Sequence, residues 1–268
     1  RSRHSHKGDY GRLLLLGGTY PYGGAIIMSA IAAVKSGAGL VTVGTDKENI
    51  PALHSHLPEA MAFSLQDQQL LKEQLEKAEV VLLGPGLRED TFGEELVKRV
   101  FDSLRKEQIL IADGGALGIL AKAHFPFPSS QLILTPHQKE WERLSGIALD
   151  HQNTETTDRA LLAFPKGTIL VEKGPATRIW QAGQPEYYQL EVGGPYQATG
   201  GMGDTLAGMI AGFAGQFHQV SLYERVVVAT YLHSAIAQEL AQEHYLVLPT
   251  EISKAIPKTM KTISQRGN

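Results

Sequence analysis

The feature that most constrains this chain is an alternation of short, nearly continuous apolar runs with longer segments of helical periodicity. Leu13–Leu16, Leu40–Val43, Val80–Leu83, Ile109–Ala112, Leu132–Leu134 and Thr168–Val171 are too short for helices. They lack the in–out alternation of a half-exposed strand, so they read as strands covered on both faces. Between and after them the spacing predicts helices over Ala25–Ser36, Asp67–Ala78, Thr91–Arg105, Lys139–Leu144, Thr154–Phe164, Asp204–Gln216, Leu222–Glu243 and Glu251–Ser264. Strand–helix alternation of this kind builds parallel βαβ units, with helices on both faces of one mostly parallel sheet. The stretch after about Trp180 reads as mainly helical, so the sheet should be largely complete by there. Ala123–Gln131, rich in Pro and Ser, reads as a loop. No internal repeat or linker interrupts the pattern, and residues 1–268 read as one α/β domain.

Composition narrows the function classes. Hydrophobic residues make up 43% and charged residues 20%, which suits an ordinary packed core. A net charge of -3 argues against a broad nucleic-acid surface. With no cysteine, disulfides, thiolate metal sites and a cysteine nucleophile are excluded, in keeping with a cytoplasmic protein. No apolar run reaches the ~18 residues of a transmembrane helix. The basic start Arg1–Lys7 has no apolar segment behind it of the signal-peptide kind and reads as the trimmed start of a longer chain.

In open parallel sheets, ligands sit at the carboxyl ends of the strands. Gly17-Gly18-Thr19, Gly84-Pro85-Gly86, Asp113-Gly114-Gly115, Thr135-Pro136-His137 and Lys173-Gly174 each follow a strand and should converge on one rim. Gly17 to Ala25 holds more glycine than a turn requires, which favours substrate contact.

Ala198-Thr199-Gly200-Gly201-Met202-Gly203-Asp204 is the segment richest in chemistry. Glycines lead into a small-residue helix that should begin near Asp204. Free N–H groups at such a helix start form an anion site, and a carboxylate there can accept a proton from an attacking hydroxyl. Its pKa should be low; a loose phosphoryl-transfer transition state asks more for positioning than for a strong base. A helix cap explains the same Asp204 equally well. The segment is neither a Walker A loop nor a dinucleotide fingerprint.

Other segments carry two readings. His137 can bind substrate, and Glu140, one turn on, can hold Mg²⁺ through water or simply favour the helix dipole. Glu172 to Thr177 reads first as a hairpin turn, and alternatively as a place where Lys173 and backbone amides meet phosphates. Leu83-Gly84-Pro85-Gly86-Leu87 reads as a turn beside which a ligand can lie. His54, His56, His151, His218 and His233 show no paired metal spacing and read as surface or satisfied core residues.

Taken in order, Lys7-Gly8-Asp9-Tyr10-Gly11-Arg12-Leu13, Ala32 to Val43, Gly84-Pro85-Gly86-Leu87, Leu134-Thr135-Pro136-His137 with Glu140, Lys173-Gly174 and Gly200-Gly201-Met202-Gly203-Asp204 resemble the ADP-dependent NAD(P)H-hydrate dehydratases of the ribokinase-like superfamily. The resemblance runs from about Lys7 to Pro249. It implies a ribokinase-like fold and a metabolite-repair lyase that returns the S-form hydrate of NADH or NADPH to the reduced cofactor, consuming ADP and giving AMP and phosphate. Residue by residue, it implies Asp204 with Gly201, Met202 and Gly203 as the catalytic group. Ala25, Gly86, His137 and Asp204 would contact the hydrated dinucleotide. Lys173, Gly174, Pro175, Ala176, Thr177 and Gly203 would contact ADP. Mg²⁺ would accompany the nucleotide, with Glu140 nearby.

The resemblance also implies a homo-oligomer, with a tetramer among the forms open to it. In some relatives an epimerase domain is fused N-terminally; this chain leaves no room for one, so any epimerase would be a separate protein. The family pattern departs at Ala112-Asp113-Gly114-Gly115-Ala116-Leu117, where a second acid is missing, and at Met202, where a small residue is common. A small-molecule kinase acting on a thiazole or pyridoxal alcohol, or a non-catalytic nucleotide-binding module, would share Asp204 and its anion site. The Thr135-Pro136-His137 and Lys7-Gly8-Asp9 segments favour the dehydratase.

Overall fold

The computed structural model describes residues 1, 3–123 and 125–266, the last by its backbone alone. In chain order the strands are β1 (Arg12–Leu16), β2 (Leu40–Thr45), β3 (Met61–Ser64), β4 (Val80–Leu83), β5 (Ile109–Ala112), β6 (Gln131–Leu134), β7 (Ile169–Glu172), β8 (Arg178–Gln181) and β9 (Tyr187–Gln189). The helices are α1 (Gly23–Lys35), α2 (Asn49–His56), α3 (Gln68–Lys77), α4 (Thr91–Ser103), α5 (Gly115–Lys122), α6 (Gln138–Ser145), α7 (Thr154–Leu161), α8 (Met202–Ala214), α9 (Leu222–Leu240) and α10 (Pro249–Arg266). They surround a nine-stranded sheet in the order β3-β2-β1-β4-β5-β6-β7-β8-β9. Pairing is parallel from β3 to β7 and antiparallel from β7 to β9.

Continuous apolar strands fold this way because their residues alternate between two cores. Leu13, Leu15, Val80, Leu82 and Ile111 face α1, α8, α9 and α10. Leu14, Leu16, Val81, Leu83 and Leu110 face α3 to α7. Among the described residues, no helix is long and apolar enough to cross a membrane.

The six strands expected from sequence are present, with ends shifted by a residue or two. The exposed hairpin partner β9 carries the sheet past Trp180. β3, β8, β9, α2 and α5 were not among the expected elements, since each is short or lies at an edge. α8 begins at Met202 rather than near Asp204, with Gly201 as its N-cap in the left-handed region at φ 93. Asp204 is therefore the third residue of the helix and not its N-cap.

Small residues fix where α8 lies. A Cβ on Gly208 would stand 2.1 Å from the carbonyl oxygen of Ser29, so α1 and α8 touch along their backbones. Ser29 Oγ then donates to the Asp204 carbonyl at 2.9 Å. The small-residue faces of these helices are spent on one another, and Asp204 is anchored by that contact.

Candidate active site

The glycine and proline clusters do meet at the carboxyl ends of the strands. The Gly18 amide donates to the Pro85 carbonyl and the Thr19 amide to that of Gly86. Thr19 Oγ1 accepts from the Arg88 amide at 2.8 Å. Much of the Gly17–Gly24 loop thus braces the loop after β4, and Tyr22 is the residue of this stretch that reaches an open cleft. At Gly86 the backbone has φ 64, and a Cβ would lie 2.3 Å from the Tyr22 carbonyl and 3.0 Å from the Ala25 Cβ. Only glycine suits that conformation and that approach. Ala25 and Gly86 are therefore neighbours.

Past the ends of β6 and β7 the chains stay paired: His137 bridges Lys173, whose amide donates to the Pro136 carbonyl. His137 is the N-cap of α6. Its Nδ1 accepts from the amides of Lys139 and Glu140, and the Glu140 carboxylate accepts from the His137 amide at 2.8 Å. This reciprocal capping box leaves the imidazole half-exposed, with Nε2 3.5 Å from Glu140 Oε1. Because Nδ1 accepts, a neutral His137 carries its proton on Nε2.

Lys173 leaves the end of β7 and buries its ammonium against Asp113, with Nζ–Oδ1 at 3.0 Å. Thr135 Oγ1 donates to the same Asp113 oxygen at 2.7 Å. Burial disfavours the Lys173 charge, but Asp113, Glu140 and Asp204 outweigh it and raise its pKa above the ordinary lysine value. The second acid of the family pattern falls at Gly115, where a Cβ would meet the Leu87 carbonyl at 1.8 Å. No side chain fits there, so Asp113 is the one acid of this segment.

Asp204 faces this group. Burial, then the nearby Asp113 charge, raise its pKa to about 6, against the pull of the Lys173 ammonium. The low pKa expected from the helix N-terminus is corrected: desolvation and a like charge outweigh the dipole and the backbone hydrogen bond. Asp204 is consequently a stronger base than an ordinary carboxylate. Burial likewise raises Glu140.

Two clefts open beside these charges. One, of about 510 Å³, is walled by Lys173, Gly174, Pro175 and Thr177 of the β7–β8 hairpin, by Gly193–Pro195, and by Met202 and Gly203 at the start of α8. The hairpin turn itself is closed by Thr177, whose Oγ1 accepts from the Gly174 amide and donates to its carbonyl. Ala176, exposed at the tip, lies outside that lining. The other cleft, of about 710 Å³, is lined by Tyr22, Gly86, Gly114, Gly115, His137 and Glu140. Of the residues assigned to the nucleotide, Lys173, Gly174, Pro175, Thr177 and Gly203 line the first cleft; of those assigned to the dinucleotide, Gly86 and His137 line the second, while Ala25 and Asp204 line neither. Lys173 and Gly203 wall the first, and the buried charges of Asp113, Lys173 and Asp204 lie close to both.

A family model described as NAD(P)H-hydrate dehydratase matches residues 13–258. The chain belongs to the NAD(P)H-hydrate dehydratase family. It is 79% identical over 266 residues to the ADP-dependent (S)-NAD(P)H-hydrate dehydratase of Streptococcus pneumoniae, covering 99% of this chain and 92% of that one. A ribokinase-like superfamily protein from Enterococcus faecalis superposes with a TM-score of 0.93 at 42% identity, covering 98% and 90% of the two chains. The ADP/ATP-dependent NAD(P)H-hydrate dehydratase of Bacillus subtilis, co-crystallised with ATP/Mg²⁺, does so with a TM-score of 0.84 at 29% identity, covering 98% and 93%. The dehydratase family and its ribokinase-like fold are thus those expected from the motifs.

One cleft residue escaped the sequence reading. His233 of α9 is not at the surface and is only partly satisfied: it is buried, lines the first cleft and hydrogen-bonds the Met202 backbone, but its Nε2 has no hydrogen-bond partner. A lone histidine on an apolar helix gives no signal; only the partner helix and hairpin make it part of a site.

Proposed function

We propose that this protein carries out the ADP-dependent dehydration of the S-form hydrate of NADH and NADPH, returning the reduced cofactor and releasing AMP and phosphate. The observation that carries the reading is Asp204: a carboxylate with a raised pKa in the first turn of α8, beside a buried lysine and close to two clefts. ADP would occupy the cleft of Lys173, Gly174, Pro175, Thr177 and Gly203, with Ala176 at its mouth. The hydrated nicotinamide would lie by Ala25, Gly86 and His137.

The hydrate hydroxyl attacks the β-phosphorus of ADP, and the bond to the α-phosphate oxygen breaks, releasing AMP. Asp204 takes the hydroxyl proton. Free amides of Gly201, Met202 and Gly203 and the Lys173 ammonium receive the charge on the migrating phosphoryl group. The ring nitrogen lone pair then expels phosphate, and loss of a proton from the adjacent ring carbon restores the dihydropyridine. Phosphorylation supplies the leaving group that hydroxide cannot be.

Glu140 suits only a water-mediated metal role. One of its oxygens is engaged by the His137 amide, and among the described residues no group of three or more His, Asp or Glu forms a cage. Magnesium held this way, chiefly by nucleotide phosphates, supplies neutralisation of phosphate charge. The same reading expects a cytoplasmic homo-oligomer, a tetramer being one form for sedimentation to test, supplied with S-hydrate by a separate epimerase.

The test is to incubate the protein with S-hydrate and Mg²⁺, adding ADP or ATP side by side, and to follow the reduced-nicotinamide absorbance. Its return with ADP, with AMP and phosphate in equal amounts, is the expected result. Nucleotide binding without turnover would leave a binding module, and phosphorylation of a thiazole or pyridoxal alcohol instead would leave a kinase.

A further inference from the structure

The first cleft contains a polar side chain that the reaction as described does not use. His233 is 4% exposed, yet it lines this cleft together with Thr230 and Ser234. The ring hydrogen-bonds the Met202 backbone, and its Nε2 is buried and unpaired. A buried polar atom without a partner costs on the order of 1–3 kcal/mol, and proteins retain few of them without a reason such as a ligand.

The charge of His233 restricts what that ligand group can be. Burial first, and the Lys173 ammonium second, push its pKa down to about 4. At neutral pH the ring is uncharged, with one donor and one acceptor nitrogen. Lys173 and the free amides of α8 already serve an anion. With the ring already hydrogen-bonded to the Met202 backbone, its remaining nitrogen offers one uncharged hydrogen bond, which matches a hydroxyl better than a charged group.

Position restricts it further. The imidazole lies beside Met202, next to Gly203, and so adjoins the phosphate end of the cleft. In a nucleoside diphosphate the moiety following the phosphates is the sugar. Thr230, His233 and Ser234, spaced i, i+3 and i+4, share one face of α9 and line the cleft together. They make an uncharged polar stripe on a helix whose neighbouring residues Val226, Ala229, Leu232, Ile236 and Ala237 are core.

We propose that His233 reads the sugar of the bound nucleotide: its imidazole hydrogen-bonds a ribose hydroxyl and selects a ribonucleotide over a deoxynucleotide. This rests on the reading of that cleft as the ADP site.

The test is calorimetric titration of ADP, 2′-deoxy-ADP and 3′-deoxy-ADP, with Mg²⁺, into the parent and into His233→Phe, His233→Ala and His233→Gln. The parent should bind ADP about tenfold more tightly than at least one deoxy analogue, the worth of one buried hydrogen bond. In His233→Phe, ADP affinity should fall about tenfold and the discrimination should vanish, because the analogue and the variant remove the same bond. His233→Ala, which fits wherever the ring fits, should do likewise if the Phe ring disturbs the fold. His233→Gln, with a donor and an acceptor at similar reach, should restore part of it. A parent indifferent to both sugar hydroxyls, or variants that keep its discrimination, overturns the inference while leaving the ADP site intact. Failure of the parent to bind ADP overturns the cleft assignment and the inference with it.

Discussion

Lys173 and Asp113, sixty positions apart in the chain, hold their charged atoms 3.0 Å from each other at the ends of β7 and β5. Both side chains are largely withdrawn from solvent, and Asp204 and Glu140 act on the same ammonium. Removing one member of a buried pair leaves the other without compensation, at a cost of about 3–5 kcal/mol. Lys173→Met should therefore lower the midpoint of chemical denaturation markedly. The double variant Lys173→Met/Asp113→Leu should recover much of that loss while remaining inactive. Denaturation of the three proteins at one pH checks this.

The same pair should set the acid limb of the pH–rate profile. Asp204 must be ionised to accept the hydroxyl proton, so kcat/KM with ADP and hydrate should fall as pH drops through about 6. Asp113 raises the Asp204 pKa and Lys173 lowers it. Asp113→Asn should move the limb to lower pH; Lys173→Met, in whatever activity remains, should move it higher. A limb that stays in place in Asp113→Asn would assign it to another group.

Asp204→Asn should separate activity from stability. Turnover should drop by at least about a thousandfold, as the proton acceptor is gone, while ADP binding largely persists. The folded-state pKa of about 6 lies above the ordinary 3.8. Its stabilising contribution is thus present below about pH 4 and is lost as pH rises through 6. At neutral pH the ionised carboxylate burdens the fold. The Asn variant should then be more stable than the parent near pH 7.5, by on the order of 1–2 kcal/mol after allowance for solvent screening. The gain should shrink to nothing near pH 4. Denaturation curves at the two pH values give the comparison.

Much of this arrangement was legible in the sequence, because continuous apolar strands and a glycine-led helix leave strong local patterns. Leu13–Leu16 and Val80–Leu83 announced covered strands, and strand–end loops announced the rim where the clefts open. The pKa of Asp204 was not legible. Helix position alone argues for a low value, whereas the opposing burial and the Asp113 charge come from a residue ninety-one positions earlier in the chain. His233 was hidden for the same reason: its unpaired nitrogen is a property of the packing of α9 against α8 and the hairpin. Edge elements such as Met61–Ser64 and Tyr187–Gln189 escaped because they bury too little to carry an apolar run.

Glu140 occupies a position where cap and metal roles make different demands on one side chain. Glutamine at the third helical position can still accept from the His137 amide, as in other capping boxes, but carries no charge. Glu140→Gln should therefore melt within about 1 kcal/mol of the parent. If the carboxylate holds magnesium through water, the Mg²⁺ concentration for half-maximal rate should rise several-fold. Unchanged Mg²⁺ dependence would leave Glu140 as a cap alone.

The glycines ahead of Asp204 should divide by what each position demands. A Cβ on Gly200 meets nothing within 4 Å, so Gly200→Ala should leave both stability and rate near parental values. Gly201 sits at φ 93, where a Cβ would also stand 2.4 Å from the Met28 sulfur. Gly201→Ala should cost about 1–2 kcal/mol from the left-handed backbone alone and should disturb the start of α8, lowering stability and rate together. Gly203 has ordinary helical geometry, and its Cβ would meet only the Lys173 ammonium, at 3.0 Å. The fold can absorb that contact, but the methyl would occupy space that the proposed ADP site gives to the phosphates. Gly203→Ala should therefore keep the parental melting temperature while KM for ADP rises about tenfold, the worth of one displaced charge-assisted hydrogen bond. Melting curves and ADP saturation curves for the three variants separate a glycine needed for conformation from one needed for the ligand.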